Sequence, residues 1–523
     1  MDGAGARPNS IKINVLVFFL FFSVSLALRF HTFALSVVDW DETLHLMIAM
    51  ALRDGHPPYI TMWDHKPPGL HIIFALGLMI FRDPIFTIRI LTCLAVSVTG
   101  LGLFGILRRL EWVPRSGAVL AGLLYAVFSI NNGGLAANAE LFFAPFVVFS
   151  FYLLFGMQEF PTGPKEKGGA SFLAIGLLLG IAMQIKFLVF FDILGVVACL
   201  FLLLKGNGET RVIRKWVVGT GMMAVFPTLI LIGIGAYYFL IGHFDEFYFA
   251  NFTSNRIYGE LYSFDFKGMV FAFVEQIGGH YFIWLGALSS IILLASAGDP
   301  SRIREKKWIG MMAVWSLAIL PGICLTKQYW PHYFLQLYPA FCLMTAVVIS
   351  VLLKPVFSSS RPGGIILVIL LLVGPVHHEA SGHLKSSVLT LRDFVKTGER
   401  FPGDVPAAIA AYVDERTSPD DFIFMIDVLP VVYVLADVRI PTRFAYPPFL
   451  IGKESSVIAG IDPLVELQAI MAKKPAFLVR KRSRPDPAGT VDAVYEQVGQ
   501  HIDSDYILVR TFSGIDVYQR KSQ

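Results

Sequence analysis

The chain has 523 residues, 55% of them hydrophobic and only 16% charged, with a mean hydropathy of +0.63; an ordinary soluble domain carries roughly 25% charged residues. A soluble fold cannot hide that much apolar surface, so a soluble globular protein is excluded. The net charge of +4 sits mostly in short segments between apolar runs, and no basic face calls for nucleic acid or another polyanion.

Apolar runs of roughly 17 to 25 residues, enough for helices to cross a hydrocarbon core of about 30 Å, recur from residue 12 to about residue 376. Lysine and arginine collect between them and mark the cytoplasmic side. The clusters are Arg7 and Lys12; Arg108, Arg109 and Arg115; Lys165 and Lys167; Lys205, Arg211, Arg214 and Lys215; Arg302, Arg304, Lys306 and Lys307; and Lys354 with Arg361. Placing all of them inside predicts about eleven transmembrane helices, near residues 13–36, 85–107, 117–130, 141–156, 171–185, 188–204, 216–241, 282–297, 308–325, 333–353 and 363–376. The N-terminus is then inside and the C-terminus outside. The apolar stretch Gly69–Phe81 is only 13 residues long; counting it as a span would push Arg108 and Arg109 outside, so it reads as a helix along the outer surface. No small-residue cleavage site follows the first span, which reads as a retained helix and not a signal peptide. Cys93, Cys199, Cys324 and Cys342 all lie in apolar segments with no CxxC spacing and read as buried small hydrophobes.

The expected fold is thus a polytopic α-helical membrane domain over residues 1–376 and an extracytoplasmic α/β domain over 377–523. In the latter, β-rich runs (FIFMID at 422, AFLVRK at 476, YILVR at 506, IDVYQR at 515) alternate with helical patterns (VPAAIAAYVDER, DPLVELQAIMAKK, TVDAVYEQVGQHI). No internal repeat is visible, and SSSRPGG is the main punctuation. The outer side receives three pieces, residues 37–84, 242–281 and everything after about 377.

The first of these carries the chemistry. In VVDWDETLHLMIAMALRDGHPPYITMWDHKPPGLHIIF, Asp39, Asp41, Glu42, Asp54 and Asp64 accumulate at the membrane surface, where unused carboxylates are costly. From Asp41 to Arg53, Leu44, Met47, Ile48, Ala51 and Leu52 fall at helical spacing, which makes a surface helix that either Asp39 or Asp41 could cap. Lys66-Pro67-Pro68-Gly69 sets a cation before prolines that suit the first positions of the helix Gly69–Phe81. An ammonium beside free helix-start amides favours a bound phosphate. The alternative for Lys66 is a snorkelling interfacial lysine.

This order of first span, Asp-Glu, amphipathic helix, Gly55 and Tyr59, then Lys-Pro-Pro resembles the GT-C glycosyltransferases of the protein O-mannosyltransferase and lipid A aminoarabinose transferase type. Asn138-Ala139-Glu140, Lys186 and KQYWPHYFLQLYP from Lys327 extend the likeness over about residues 12–350. The resemblance implies a polyprenyl-phosphate-sugar donor, a glycan, glycolipid (lipid A among them) or protein acceptor, and a bacterial inner-membrane enzyme working at the periplasmic face. It assigns the general base to Asp41, with Glu42 beside it, and the donor phosphate to Lys66, with Lys327 or His332 as second contacts. Asp39, Tyr59, His65, Glu140, Lys186 and Tyr333 are the further substrate-binding candidates. One departure touches the metal present in some relatives: here Asp64 and His65 precede the lysine. His45, His56, His65 and His71 are near, but no spacing among them closes a tetrahedral site, so no cofactor is expected, with a divalent metal as the alternative.

The implied reaction is an inverting transfer. A rival class is a transporter or flippase of lipid-linked sugars, which would place paired charges near the bilayer midplane, often on broken helices; Asp192 is the main intramembrane acid, and no inverted repeat accompanies it. A ligase or polymerase of lipid-linked glycans would leave the Asp-Glu and Lys-Pro-Pro loop unexplained.

Overall fold

The computed structural model describes residues 8–157, 167–206, 209–296, 303–358, 362–418, 420–483 and 489–521; Arg7, Lys165, Arg302 and Arg361 lie outside them. Helices occupy all eleven expected spans. They are α1 (Pro8–Arg29), α4 (Pro84–Arg108), α5 (Arg115–Phe128), α6 (Ala139–Gly156), α7 (Lys167–Met183), α8 (Phe190–Gly206), α9 (Val212–Leu240), α13 (Tyr281–Ser296), α14 (Ile303–Leu325), α15 (Tyr338–Ser358) and α16 (Pro362–Thr397). Among the described residues seven helices are long and apolar enough to cross a membrane, and Arg115–Phe128, Gly169–Met183 and Tyr281–Ile292 are shorter apolar helices. The protein is an integral membrane protein. The last helix departs from expectation, running through Pro375 to Thr397 instead of ending at 376. The segment HLKSSVLTLRDFVKT mixes polar with apolar residues but holds no Pro or Gly to stop the helix, so composition changes there while the backbone does not.

Two compact units organise the chain, and neither is continuous in sequence. The first comprises Met1–His31, Ile90–Gly233 and Phe264–Leu391. In it α6 packs on α7, α8 on α14, and α15 on α13 and α5. Small residues permit the closest approaches, as in membrane helix pairs generally: a Cβ on Gly176 of α7 would sit 2.2 Å from the Met223 carbonyl oxygen of α9. Asp192 of α8 is buried, and its carboxylate accepts from Trp315 Nε1 at 2.8 Å and Gln336 Nε2 at 2.5 Å.

The second unit comprises Thr32–Arg89, Ile234–Ser263 and Arg392–Gln523. Its sheet has the order β1 (Ile423–Met425), β2 (Phe477–Lys481), β4 (Ile515–Arg520), β3 (Tyr506–Phe512). β1 and β2 are parallel, with Phe424 opposite Leu478, and the remaining pairs are antiparallel. Ser513 and Gly514, both at positive φ (45° and 83°), form the β3–β4 hairpin turn, the handedness that matches strand twist. The expected helices appear as α17 (Val405–Asp414), α21 (Pro463–Ala472) and α22 (Asp492–Asp505). Phe424, Ile426, Leu467, Ile470, Leu478, Val494 and Val498 form the core of this sheet layer.

Candidate active site

Helix α2 (Trp40–Arg53) and helix α3 (Gly69–Phe81) frame the loop of interest, and their ends follow from local chemistry. Asp39 is extended (φ −138°, ψ 151°) and its carboxylate accepts from the Asp41 amide, so Asp39 is the cap and Asp41 is not. At the other end Gly55 N–H donates to the Leu52 carbonyl (3.1 Å) and His56 N–H to the Ala51 carbonyl (2.9 Å), with Gly55 at φ 90°. That is the paired terminal hydrogen bonding for which glycine is favoured after a helix end. Pro68 stands at the cap position of α3, one residue earlier than the first helical turn expected for it.

Released from capping, Asp41 meets Lys66: Nζ donates to Oδ2 at 2.8 Å, with the two side chains 18% and 27% exposed. Burial would lower the Lys66 pKa, but Asp41 and then Asp64 outweigh it and hold the ammonium above its ordinary value. The loop behind Lys66 is anchored. Tyr59, at φ 72°, is fully buried beside Tyr238 and Phe247, and its hydroxyl donates to the Lys66 carbonyl at 2.9 Å. Asn255 Nδ2 donates to the His65 carbonyl at 2.8 Å. The small α/β domain supplies the rest of the frame. Trp63 packs against Phe444 and Phe449 and donates its amide to the Arg443 carbonyl; Ser36 donates to Asp404; and the Tyr446 ring stands edge-on to Trp40, its phenol close enough to sense the charges of Asp41 and Lys66.

Three features of the loop stand apart. Glu42 is buried, bound by Arg89 through both oxygens (2.5 and 2.8 Å), and also accepts from the Val38 amide at 2.6 Å. Tyr59 is buried beneath the loop, with its hydroxyl on the Lys66 carbonyl. Two of the four histidines lie together with an acid: His45, Asp64 and His71 bring one potential ligand atom each within 4.8 Å of one another, all buried. Burial foremost, and then Lys66, pushes the His45 imidazole well below its ordinary pKa. Asp64 is held low despite its burial, by Lys66 and the surrounding imidazoles.

The other candidates fall as follows. His65 stacks on Tyr258 with ring centres 6.1 Å apart. In the first unit Lys186 pairs with the buried Glu140, and its ammonium lies over the Tyr333 ring at 4.3 Å. His332 meets the Tyr333 ring edge-on, and Lys327 follows α14 in a left-handed conformation (φ 58°). The site residues that sequence reasoning missed are Arg89, Asn255 and Tyr446. Only Arg89 had a signal, an arginine inside an apolar run, which calls for a partner.

The sequence matches the family model of dolichyl-phosphate-mannose-protein mannosyltransferases over residues 65–232. No curated protein matches the chain in sequence. The structure matches ArnT of Cupriavidus metallidurans, both with undecaprenyl phosphate bound (TM-score 0.62, 16% identity, 99% of each chain) and in the apo state (0.63, 15%, 99% of this chain and 100% of that one). It also matches the oligosaccharyltransferase of Archaeoglobus fulgidus (0.58, 11%, 90% of this chain and 69% of that one). The fold is therefore the GT-C type expected from the sequence, and the chain is similar to the dolichyl-phosphate-mannose-protein mannosyltransferases in sequence across residues 65–232 and to ArnT in fold across nearly its whole length.

Proposed function

We propose that this protein is an inverting glycosyltransferase, moving a sugar from a polyprenyl-phosphate donor to a hydroxyl group of a glycan, glycolipid or protein at the outer face of the membrane. The observation that carries the reading is the Asp41–Lys66 pair: a carboxylate spared from capping and an ammonium at the foot of a proline-led helix, 2.8 Å apart and both part-exposed. The similarity of ArnT, solved with undecaprenyl phosphate, and of the Archaeoglobus fulgidus AglB, solved with an inhibitory peptide and a dolichol-phosphate, supports a lipid-phosphate leaving group. The outer-face placement rests on the distribution of lysine and arginine.

The pair suggests how the site arms itself. Without donor, Lys66 and Asp41 neutralise each other. A donor phosphate competes for the ammonium and frees the carboxylate. The acceptor oxygen then bonds to the anomeric carbon as the bond from that carbon to the phosphate oxygen breaks. The hydroxyl proton passes to Asp41, an assistance worth typically 10² to 10⁴ in rate. The phosphate leaves with the electron pair, its charge met by Lys66. Glu42, held by Arg89, positions Asp41 and takes no proton.

The test uses purified full-length protein and two readouts, binding of undecaprenyl phosphate and transfer of radiolabelled sugar from membrane lipid donor to acceptor. Asp41→Asn should keep lipid-phosphate binding and lose at least about a hundredfold in transfer, while Lys66→Ala should lose binding that Lys66→Arg partly retains. Near-normal transfer by Asp41→Asn with both substrates saturating would end the assignment and return the transport reading. Mass spectrometry of envelope glycolipids and glycoproteins from a deletion strain would name sugar and acceptor by the residue that disappears.

A further inference from the structure

We infer that His45, Asp64 and His71 form a binding site for one divalent transition-metal ion of the zinc type, a structural clamp that ties α2 to α3 behind Lys66. His45 Nδ1 and His71 Nε2 are 3.0 Å apart. Asp64 Oδ2 lies 3.5 Å from the first and 3.7 Å from the second. With metal–ligand bonds of about 2.0 to 2.1 Å, the edge of a tetrahedral site is about 3.4 Å. The three atoms therefore already outline one face of such a site, and a point about 2.0 Å from all three exists at its centre.

The second observation is the carboxylate itself. Asp64 has no exposed surface, and its Oδ2 makes no hydrogen bond of good geometry, the two imidazole nitrogens standing 3.5 and 3.7 Å from it. A buried carboxylate oxygen without a well-placed donor is costly, and buried charges are ordinarily paired or bound to metal. The other oxygen is used, accepting the His65 amide at 2.7 Å, which aims Oδ2 at the two rings. Two imidazoles and a carboxylate suit zinc or cobalt better than calcium or magnesium, which prefer oxygen ligands throughout.

The consequence for the chain is positional. Residue 64 is fixed to two helices, and Lys66 follows two residues later with its carbonyl held by Tyr59. The site goes beyond the reading of function above and does not depend on it, because metal uptake is measured without any substrate.

The experiment takes full-length protein without a polyhistidine tag, in detergent, stripped with EDTA and titrated with Co²⁺. The expected result is uptake of one ion per chain with the visible absorption of a four-coordinate centre. No thiolate charge-transfer band should appear, because the four cysteines lie elsewhere. Zn²⁺ should displace the cobalt and raise Tm, and protein purified without added metal should hold near-stoichiometric zinc. Asp64→Asn, similar in size, and His71→Gln should each lose the visible bands while keeping the wild-type helical signal. A folded wild type that binds no cobalt, or binds it loosely at several places without those bands, would overturn the proposal and leave the trio as a hydrogen-bonded core. So would variants that keep full uptake. Should a variant fail to fold, the wild-type titration and zinc content still decide the question.

Discussion

Asp41 and Glu42 are neighbours in sequence with the same chemistry, yet they belong to two different regions of the α2 start. At the mouth, Asp41 meets the ammonium of Lys66, and a quarter of its side chain is exposed. On the floor, Glu42 is 1% exposed and meets the two terminal guanidinium nitrogens of Arg89. A carboxylate buried and bound through both oxygens by its own fold has little left for a substrate, whereas a part-exposed one beside an accessible lysine can exchange that contact for a phosphate. Asp192 in the first unit repeats the floor pattern, its oxygens taken by Trp315 and Gln336. A charge in a membrane protein marks function, but how deeply it is buried among its partners separates a working group from a strut.

The largest expected effect lies on the floor. Removing Arg89 leaves Glu42 buried and uncompensated, a change worth about 3 to 5 kcal/mol for a broken buried pair. Arg89→Met should therefore lower thermal stability steeply, and adding Glu42→Gln to it should restore part of the loss. Circular dichroism melts of the two variants decide it; a stable Arg89→Met protein with lowered transfer would place Glu42 in the chemistry and erase the contrast.

This contrast shows what was legible in the sequence. The helical spans were readable because twenty apolar residues in lipid have essentially one solution. The alternation of strand and helix patterns gave the α/β domain, down to the runs at 476 and 515. The Asp39-Asp41-Glu42 cluster announced a site but not the division of labour within it. Capping depends on one backbone conformation, at Asp39, and the fate of Glu42 depends on Arg89, 47 residues further on. The frame behind Lys66 was hidden for the same reason. Asn255, Trp63 and Tyr446 meet the loop only through tertiary packing, and His45, Asp64 and His71 converge from two helices and a loop with spacings of 19 and 7 residues that match no local ligand motif.

A middle-sized effect should come from beneath the mouth. Tyr59→Phe removes the hydroxyl that supports the Lys66 carbonyl while keeping the ring against Tyr238 and Phe247. A buried hydrogen bond of this kind contributes about 1 kcal/mol net, so undecaprenyl phosphate should bind several-fold more weakly, with transfer at saturating donor little changed. A loss confined to transfer at saturation would make the phenol part of the reaction and not a support of Lys66.

The smallest effect is the most discriminating, because it compares two acids two residues apart. Asn and Asp are nearly equal as N-caps, while Ala in that place costs about 1 kcal/mol. The Asp39 carboxylate accepts the Asp41 amide at 3.3 Å, a contact that an amide oxygen reproduces. Asp39→Asn should therefore leave both Tm and transfer within error of wild type, and Asp39→Ala should lower Tm alone. Asp41→Asn must behave in the opposite way, silent in stability and severe in transfer, since an amide cannot take the acceptor proton. The four numbers, two melts and two rates, form a crossed pattern that no general sensitivity of the loop to lost charge would produce. If Asp39→Asn lost as much transfer as Asp41→Asn, the local negative charge and not a proton acceptor would be what the site requires, and the separation of cap from base at the start of α2 would fail.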